Sequence, residues 1–345
     1  MPTAARARIF ADYAPSALND VAVPPFPPNE ADDEDEGRAA RIQLDYERRE
    51  ADWAPIAPAE PAPDAPVRFI DGSIRSRTVA SIAVGYRRRP LIAASIAAAA
   101  LEIDGRTLRR AAGARTLKVV CVHSNGIERA ALLEAEHALR VHGFELRESE
   151  AEVSATDFDS LRRTTRGIAM LAMEEAERDV MLAEPGKPTL MDGLIERRLA
   201  AHPLDVPVVG LVKRQMATYL PSGLQELAYS LRPGERTPAF LLETPQHVPL
   251  VNIYVRLSAP PGASPSYGVV RVTIPQAYAE RAHEEDLPEY LSGLAGYLYR
   301  LRCRDLAYGR AGISVEPIVR VEDHLHAILP DIEALVPKLH RLLSA

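Results

Sequence analysis

Cysteine is nearly missing from this chain of 345 residues: Cys121 and Cys303 cannot make a four-thiolate zinc site and are too few for a secreted disulfide framework. Both are expected to be small buried hydrophobes. No membrane-crossing run is present either. The longest weakly polar stretch, Leu91 to Leu101, covers about eleven residues and is interrupted by Ser95, whereas a spanning helix needs roughly twenty. The opening MPTAARARIF carries Arg6 and Arg8 with no apolar run behind them, so a secretory leader is not expected and the cytoplasm is the expected location. Nucleotide and hydrolase signatures are lacking as well. The nearest approach to a P-loop, EPGKP, has neither the glycine spacing nor the hydroxyl that holds Mg²⁺, and there is no G-x-G-x-x-G, H-E-x-x-H or G-x-S-x-G.

Lysine is also scarce. Lys118, Lys187, Lys213 and Lys338 are the only four among 41 basic residues, and arginine, the better bidentate partner for phosphate, supplies the rest. The net charge of -7 is unevenly spread. Residues 1–66 hold 14 acidic residues against 6 arginines, while the remainder holds 34 acids against 35 bases and is nearly neutral. The same 66 residues contain 11 of the 29 prolines, nine of them in VPPFPPNE and PIAPAEPAPDAP, which flank the acidic block Asp32 to Glu36. This composition predicts an extended acidic arm that the body can fold without. It carries one amphipathic helix in GRAARIQLDYERREADW, with Ile42, Tyr46, Arg49 and Trp53 on one stripe.

From Val67 the texture becomes that of a folded α/β body, 67–345. RFIDGSIRSRTVASIAVGYRRR reads as two strands around a DG turn, and PLIAASIAAAALEI as a third strand. TLKVVCVH is a buried strand, followed by a helix with Ile127, Leu132, Ala135 and Leu139 at helical spacing and Gly143 at its end. A long helix over FDSLRRTTRGIAMLAMEEAERDVMLAEPG, the strands TLMD and PVVGLVKR, three antiparallel strands and terminal helices complete the pattern.

The chemistry-bearing residues are carboxylates. Asp71 in RFIDGS and Asp192 in TLMDGL each end an apolar run, a place that β-propensity does not favour for Asp. Each alone is explained by a turn, as Asp104 in EIDGR is. Between them lies a helix with Glu174, Glu175 and Glu177. Glu174 shares a stripe with Met170, Leu171 and Met181 and ranks first as the sheet-facing acid, with Glu175 next. Lys213 ends the strand LVKR, and EPIVRVEDHLHAIL carries His324 and His326.

In this order and spacing, FIDGS, the AMEEAE helix, LMDGL, VVGLVKR and EPIVRVEDH resemble the motifs of the NurA family of nucleases over about residues 67 to 330. The resemblance implies a ribonuclease-H-like mixed sheet flanked by helices. It also implies a metal centre of Asp71, Asp192, a helix glutamate (Glu174 or Glu175) and His324, with Lys213 as a catalytic cation. Mn²⁺ or Mg²⁺ would be the cofactor, since hard cations prefer carboxylate oxygens. The implied function is a DNA nuclease, 5′ to 3′ on ends and endonucleolytic on single strands, acting in end resection and repair. Its implied partners are DNA, a second copy in a homodimer, and a HerA-type hexameric ATPase supplying the motor this chain lacks. One departure stands out: the family's tyrosine before the C-terminal proline is replaced by Glu316 before Pro317. That keeps open whether Glu316 enters the metal site, and keeps alive a catalytically weak or inactive DNA-binding or ATPase-docking subunit. A ribonuclease-H-like enzyme acting on RNA is a third possibility, because fold does not identify the nucleic acid.

Overall fold

The computed structural model describes residues 9–18, 41–61, 64–151, 157–199, 206–213, 219–243, 248–305 and 308–344. The acidic block Asp32 to Glu36 lies outside the described residues. Among those described, twelve strands join in one mixed sheet. Its spine is an antiparallel pair, β3 (Arg68–Val84) and β4 (Arg87–Asp104), turning at Gly85 with φ 60°. The DG of FIDGS is therefore not a turn: β3 runs straight through Asp71 and Gly72 to the true turn 13 residues beyond Gly72. Apolar residues on both sides of the motif are buried, and burial of both faces overrides the local turn preference.

On one side of the spine, β6 (Arg115–His123) pairs antiparallel with β4, and β7 (Glu145–Ser149) pairs parallel with β6 across helix α1 (Arg129–Val141). β5 (Thr107–Arg110) is a short return on β4. On the other side, β8 (Thr189–Asp192) and β9 (Val208–Val212) run parallel to β3. The sheet then continues antiparallel through β12 (Val269–Pro275), β11 (Leu250–Arg256) and β10 (Phe240–Glu243). The central order is thus β6-β4-β3-β8-β9, three antiparallel strands followed by two parallel ones.

Helix α2 (Phe158–Leu182) covers one face of the spine and α7 (Glu316–Ile328) the other. The alanine run of β4 explains how closely they sit. Ala94, Ala98 and Ala100 pack with Ala169, Ala172 and Ala176 of α2, while Ala97 and Ala99 point to the face holding Ile318, Val321 and Leu325 of α7. Two-sided burial of small side chains keeps PLIAASIAAAALEI a strand although its composition would suit a helix. The other helices, α3 (Glu196–Leu199), α4 (Ser222–Ser230), α5 (Gln276–His283), α6 (Leu287–Leu301) and α8 (Ile332–Ser344), fill the flanks. Cys121 and Cys303 are buried, as expected.

The described parts of residues 1–66 depart from a separate arm. Ile9 and Phe10 are buried among Val79, Ile82 and the leucines of α8, and β1 (Ser16–Ala17) pairs with β3. No amphipathic α-helix forms over 41–53, where only a short 3-10 turn, Glu50–Asp52, is helical. Arg41–Gln43 is instead a strand, β2, added to β10 at the sheet edge, and Trp53 is buried against Phe240. The open edge of β10 offers a row of backbone partners that a surface helix could not satisfy. Glu47 completes the attachment: its carboxylate accepts from Arg236 at 2.7 and 2.8 Å and from the Ala239 amide at 2.6 Å.

Arg236 has no side-chain exposure and Glu47 has 3%, so removing either partner strands a buried charge. Glu47→Ala is expected to cost about 3–5 kcal/mol in denaturant-induced unfolding. Deletion of residues 1–66 is expected to lower stability further, contrary to the composition-based expectation of a dispensable arm. An unchanged unfolding midpoint in both variants would show that the attachment carries no stability.

Candidate metal centre

Three parallel strands bring the acidic residues together. Ile70 pairs with Met191 and Asp192 with Leu211, so Asp71 stands beside Asp192, and Lys213 follows two residues after Leu211 on the same face. That face, continuous with Phe69, Leu190 and Leu211, is the one α7 covers. Glu322 sits on α7 one turn after Ile318 and just before Leu325, both buried against the sheet, and it reaches the same point. Asp71, Asp192 and Glu322 each offer a carboxylate oxygen, all within 4.8 Å of one another.

Lys213 is the local counter-charge. Its Nζ donates to Asp192 Oδ2 at 2.9 Å and lies 3.3 Å from Glu322 Oε1, with only 6% of its side chain exposed. Burial alone would lower its pKa, but the carboxylates of Asp192, Asp71 and Glu322 outweigh burial and hold the ammonium charged. Asp71 shows the opposite balance. Burial first, then the charge of Asp192, push its carboxyl well above the usual range, and Lys213 only partly compensates. The Gly72 amide donates to Asp71 Oδ1 at 2.8 Å and fixes the side chain at the strand.

A further buried acid comes from α2. Glu177 pairs with Arg198 of α3 at 2.5 Å, and its charge is felt by Asp71 and Asp192. Burial raises its pKa despite Arg198. Gly72 makes room for it: a Cβ at this position would lie 2.5 Å from Glu177 Oε1. The glycine of FIDGS is thus used for close approach of a helix side chain, since Gly72 is not among the positive-φ glycines.

Of the residues singled out in the sequence, the structure brings Asp71, Asp192 and Lys213 together and places the others elsewhere. Glu174 lies 3.9 Å from Arg197, and Glu175 pairs with Arg147 of β7 at 2.9 Å. The sheet-facing stripe of α2 is built from Thr165, Ala169, Ala172, Ala176 and Val180, and Glu177 rides on it, whereas Leu171 is half exposed. Alanines carry little hydrophobic signal, so the exposed Leu171 shifts the apparent stripe toward Glu174 although Met181 is buried against the sheet. His324 lies two residues beyond Glu322, which turns it about 200° around the helix. Burial and Arg110 lower its pKa, and it is not in the carboxylate cluster. His326 is exposed, as expected of a surface histidine. Glu316 pairs with Arg320 at 2.6 Å, away from the cluster. Glu177, named in the sequence but not ranked, and Glu322, not named there, are the acids that the sequence reading leaves out, although Ile318, Glu322 and Leu325 share a face in EPIVRVEDHLHAIL that marks the latter.

Three carboxylates, joined among the described residues by no nitrogen or sulfur donor, suit a hard divalent cation such as Mg²⁺ or Mn²⁺. The site's demand for positive charge is visible in Asp71, whose pKa is raised by burial first and then by the charge of Asp192, with Lys213 only partly offsetting them. Asp71, Asp192 and Glu322 therefore fit such an ion, with Lys213 at its rim.

Neither protein-family models nor curated proteins match this sequence. Among solved structures, the crystal structure of the NurA nuclease from Sulfolobus solfataricus is similar to 83% of this chain and 88% of its own, at 12% identity and a TM-score of 0.36. So loose a likeness leaves the function to be argued from the site.

Two substitutions test the geometry. Asp71 has a folded-state pKa above its unfolded value of about 4, so the metal-free protein loses stability as pH rises from there through the raised value. Asp71→Asn is expected to raise the melting temperature in EDTA at neutral pH, with the gain vanishing below about pH 4, where the carboxyl is protonated in both states. A loss of stability would show that the carboxylate's contacts with the Gly72 amide and its neighbours outweigh the repulsion it suffers. Gly72→Ala should destabilise by about 1–3 kcal/mol, because Glu177, held by Arg198, blocks the added methyl.

Proposed function

We propose that this chain is a divalent-metal-dependent nuclease whose metal ligands are Asp71, Asp192 and Glu322. The observation that carries the reading is the convergence of these three carboxylates with Lys213 where β3, β8 and β9 run side by side. Two further features support it. The central strand order, three antiparallel strands then two parallel, is the arrangement expected of a ribonuclease-H-like core. The order of FIDGS, the glutamate helix, LMDGL and VVGLVKR along the chain is that of NurA-type nucleases.

The division of labour follows from the contacts. Asp71 and Asp192 hold their side of the site from rigid strands, and Glu322 closes it from α7. A bound divalent cation would activate a water and neutralise the phosphate under attack. Lys213, a compact charge, reaches a phosphate oxygen and stabilises the charge that develops there. Glu177 and Arg198 complete the wall on the α2 side and keep that carboxylate's charge balanced. Ligand roles for Glu174, Glu175 and His324 would need these side chains to leave their present surroundings, and Glu177, paired with Arg198, acts as a neighbouring charge and not as a ligand.

The finer assignment rests on the motif resemblance alone. The substrate is DNA, cut 5′ to 3′ from ends and internally in single strands, with Mn²⁺ or Mg²⁺, in end resection and repair. The enzyme acts as a homodimer with a HerA-type hexameric ATPase. A second reading has its own observation: Lys213 already bridges Asp192 and Glu322, as it would in a purely structural ion-pair network of a non-catalytic docking subunit.

Digestion of end-labelled single- and double-stranded DNA, and of RNA of the same sequence, separates the two. Cleavage of DNA is expected in Mn²⁺ or Mg²⁺ and none in EDTA. Asp71→Asn and Asp192→Asn should each lower the rate by about a hundredfold or more, beyond the usual effect of residues that only support ligands. Glu175→Gln, tied to Arg147, should stay near the wild-type rate. Wild-type rates in both Asp variants would sink the nuclease reading in favour of the structural network, and cleavage of RNA alone would replace DNA as substrate.

A further inference from the structure

Glu322 comes from a helix across the sheet and depends on something other than a strand to aim it. The loop between α6 and α7 does this. Its base is closed by a bridge between Arg302 and Val315 and by the Cys303 amide donating to the Ser314 carbonyl at 2.8 Å. Its inner face packs Cys303 and Ala311 onto Val319, one turn before Glu322, with Tyr308 against them. Two turn hydrogen bonds fix the tyrosine's backbone: the Tyr308 amide donates to Asp305 and its carbonyl accepts from Ala311. The half-buried phenol then donates to Glu322 Oε2 at 2.6 Å, while Oε1 of the same carboxylate is 3.3 Å from Lys213. One oxygen is held by the phenol and the other meets Lys213, the cation that also pairs with Asp192.

We propose that Tyr308 is a positioning residue for the carboxylate site: its hydroxyl sets the orientation of Glu322 and thereby the site's affinity for a divalent cation. This rests on the reading of Asp71, Asp192 and Glu322 as metal ligands. A ligating carboxylate free to rotate must be ordered when the ion arrives, and supporting hydrogen bonds of this kind change metal affinity by about 10–100-fold. Phenylalanine keeps the ring that packs on Cys303 and Ala311 and removes only the donor.

Calorimetric titration of the full chain with Mn²⁺, without nucleic acid, tests the proposal. Tyr308→Phe is expected to weaken Mn²⁺ binding by about tenfold, while its melting temperature in EDTA stays close to wild type. Placed on Glu322→Gln, the same substitution should weaken binding no further, because the group it orients is gone. Wild-type affinity in Tyr308→Phe, or an equal further loss on Glu322→Gln, overturns the positioning role. Should Tyr308→Phe lose its folded state, Tyr308→Met, which keeps apolar bulk against Cys303 and Ala311 without a donor, must show the same loss of Mn²⁺ affinity. The underlying reading fails in a distinguishable way: a wild-type chain that takes up no Mn²⁺, or an Asp192→Asn variant that binds as well as wild type, removes the metal site itself.

Discussion

Like charges gathered in a partly buried space repel strongly, and the arrangement around Asp71 is organised by that repulsion. Asp71, Asp192, Glu322 and Glu177 bring four carboxylates to one region, and among the described residues Lys213 and Arg198 are the cations paired with them. Burial weakens the screening that would make such a cluster cheap at a surface. The consequence is visible at Asp71, where burial first and then the charge of Asp192 raise the carboxyl's pKa. Neighbouring details depend on the same constraint: the bare backbone at Gly72 that admits Glu177, the short β8 that ends in Asp192, and the tyrosine that holds Glu322 from behind.

The framework that tolerates this cluster is built from unusually small parts. Alanines of β4 against alanines of α2 let a long helix lie close to the sheet and deliver Glu177 to the level of Gly72. On the opposite face the same strand offers Ala97 and Ala99 to the cluster that contains α7. Beyond β9 the sheet is extended by β12, β11, β10 and β2, and the buried Arg236–Glu47 pair ties residues near the start of the chain to that extension. The acidic centre therefore lies near the middle of the sheet, where strand positions are constrained from both sides.

Much of this was legible in the residues. The strand–helix alternation, the antiparallel opening, and the pairing of Asp71 and Asp192 with Lys213 follow from apolar runs that end in charged residues. What stayed hidden has identifiable causes. The FIDGS glycine reads as a turn locally, yet long-range burial keeps β3 straight and reserves the glycine for Glu177. The phase of α2 is set by alanines, so Glu174 and Glu175 looked better placed than Glu177. Glu322 was overlooked because histidine drew attention to the next turn of α7. Proline and acidic content concealed the anchoring of Ile9, Phe10 and Trp53, which depends on sheet edges and cavities supplied far along the chain.

Everything functional in this account rests on a divalent cation being held by Asp71, Asp192 and Glu322. Crystals grown in Mn²⁺ and measured at the manganese absorption edge address that directly. The account predicts an anomalous peak among the three carboxylates, with the ammonium of Lys213 drawn away from at least one of them. Diffraction showing no peak there, with Lys213 still bridging Asp192 and Glu322, would contradict it and leave the cluster as a buried ion-pair network.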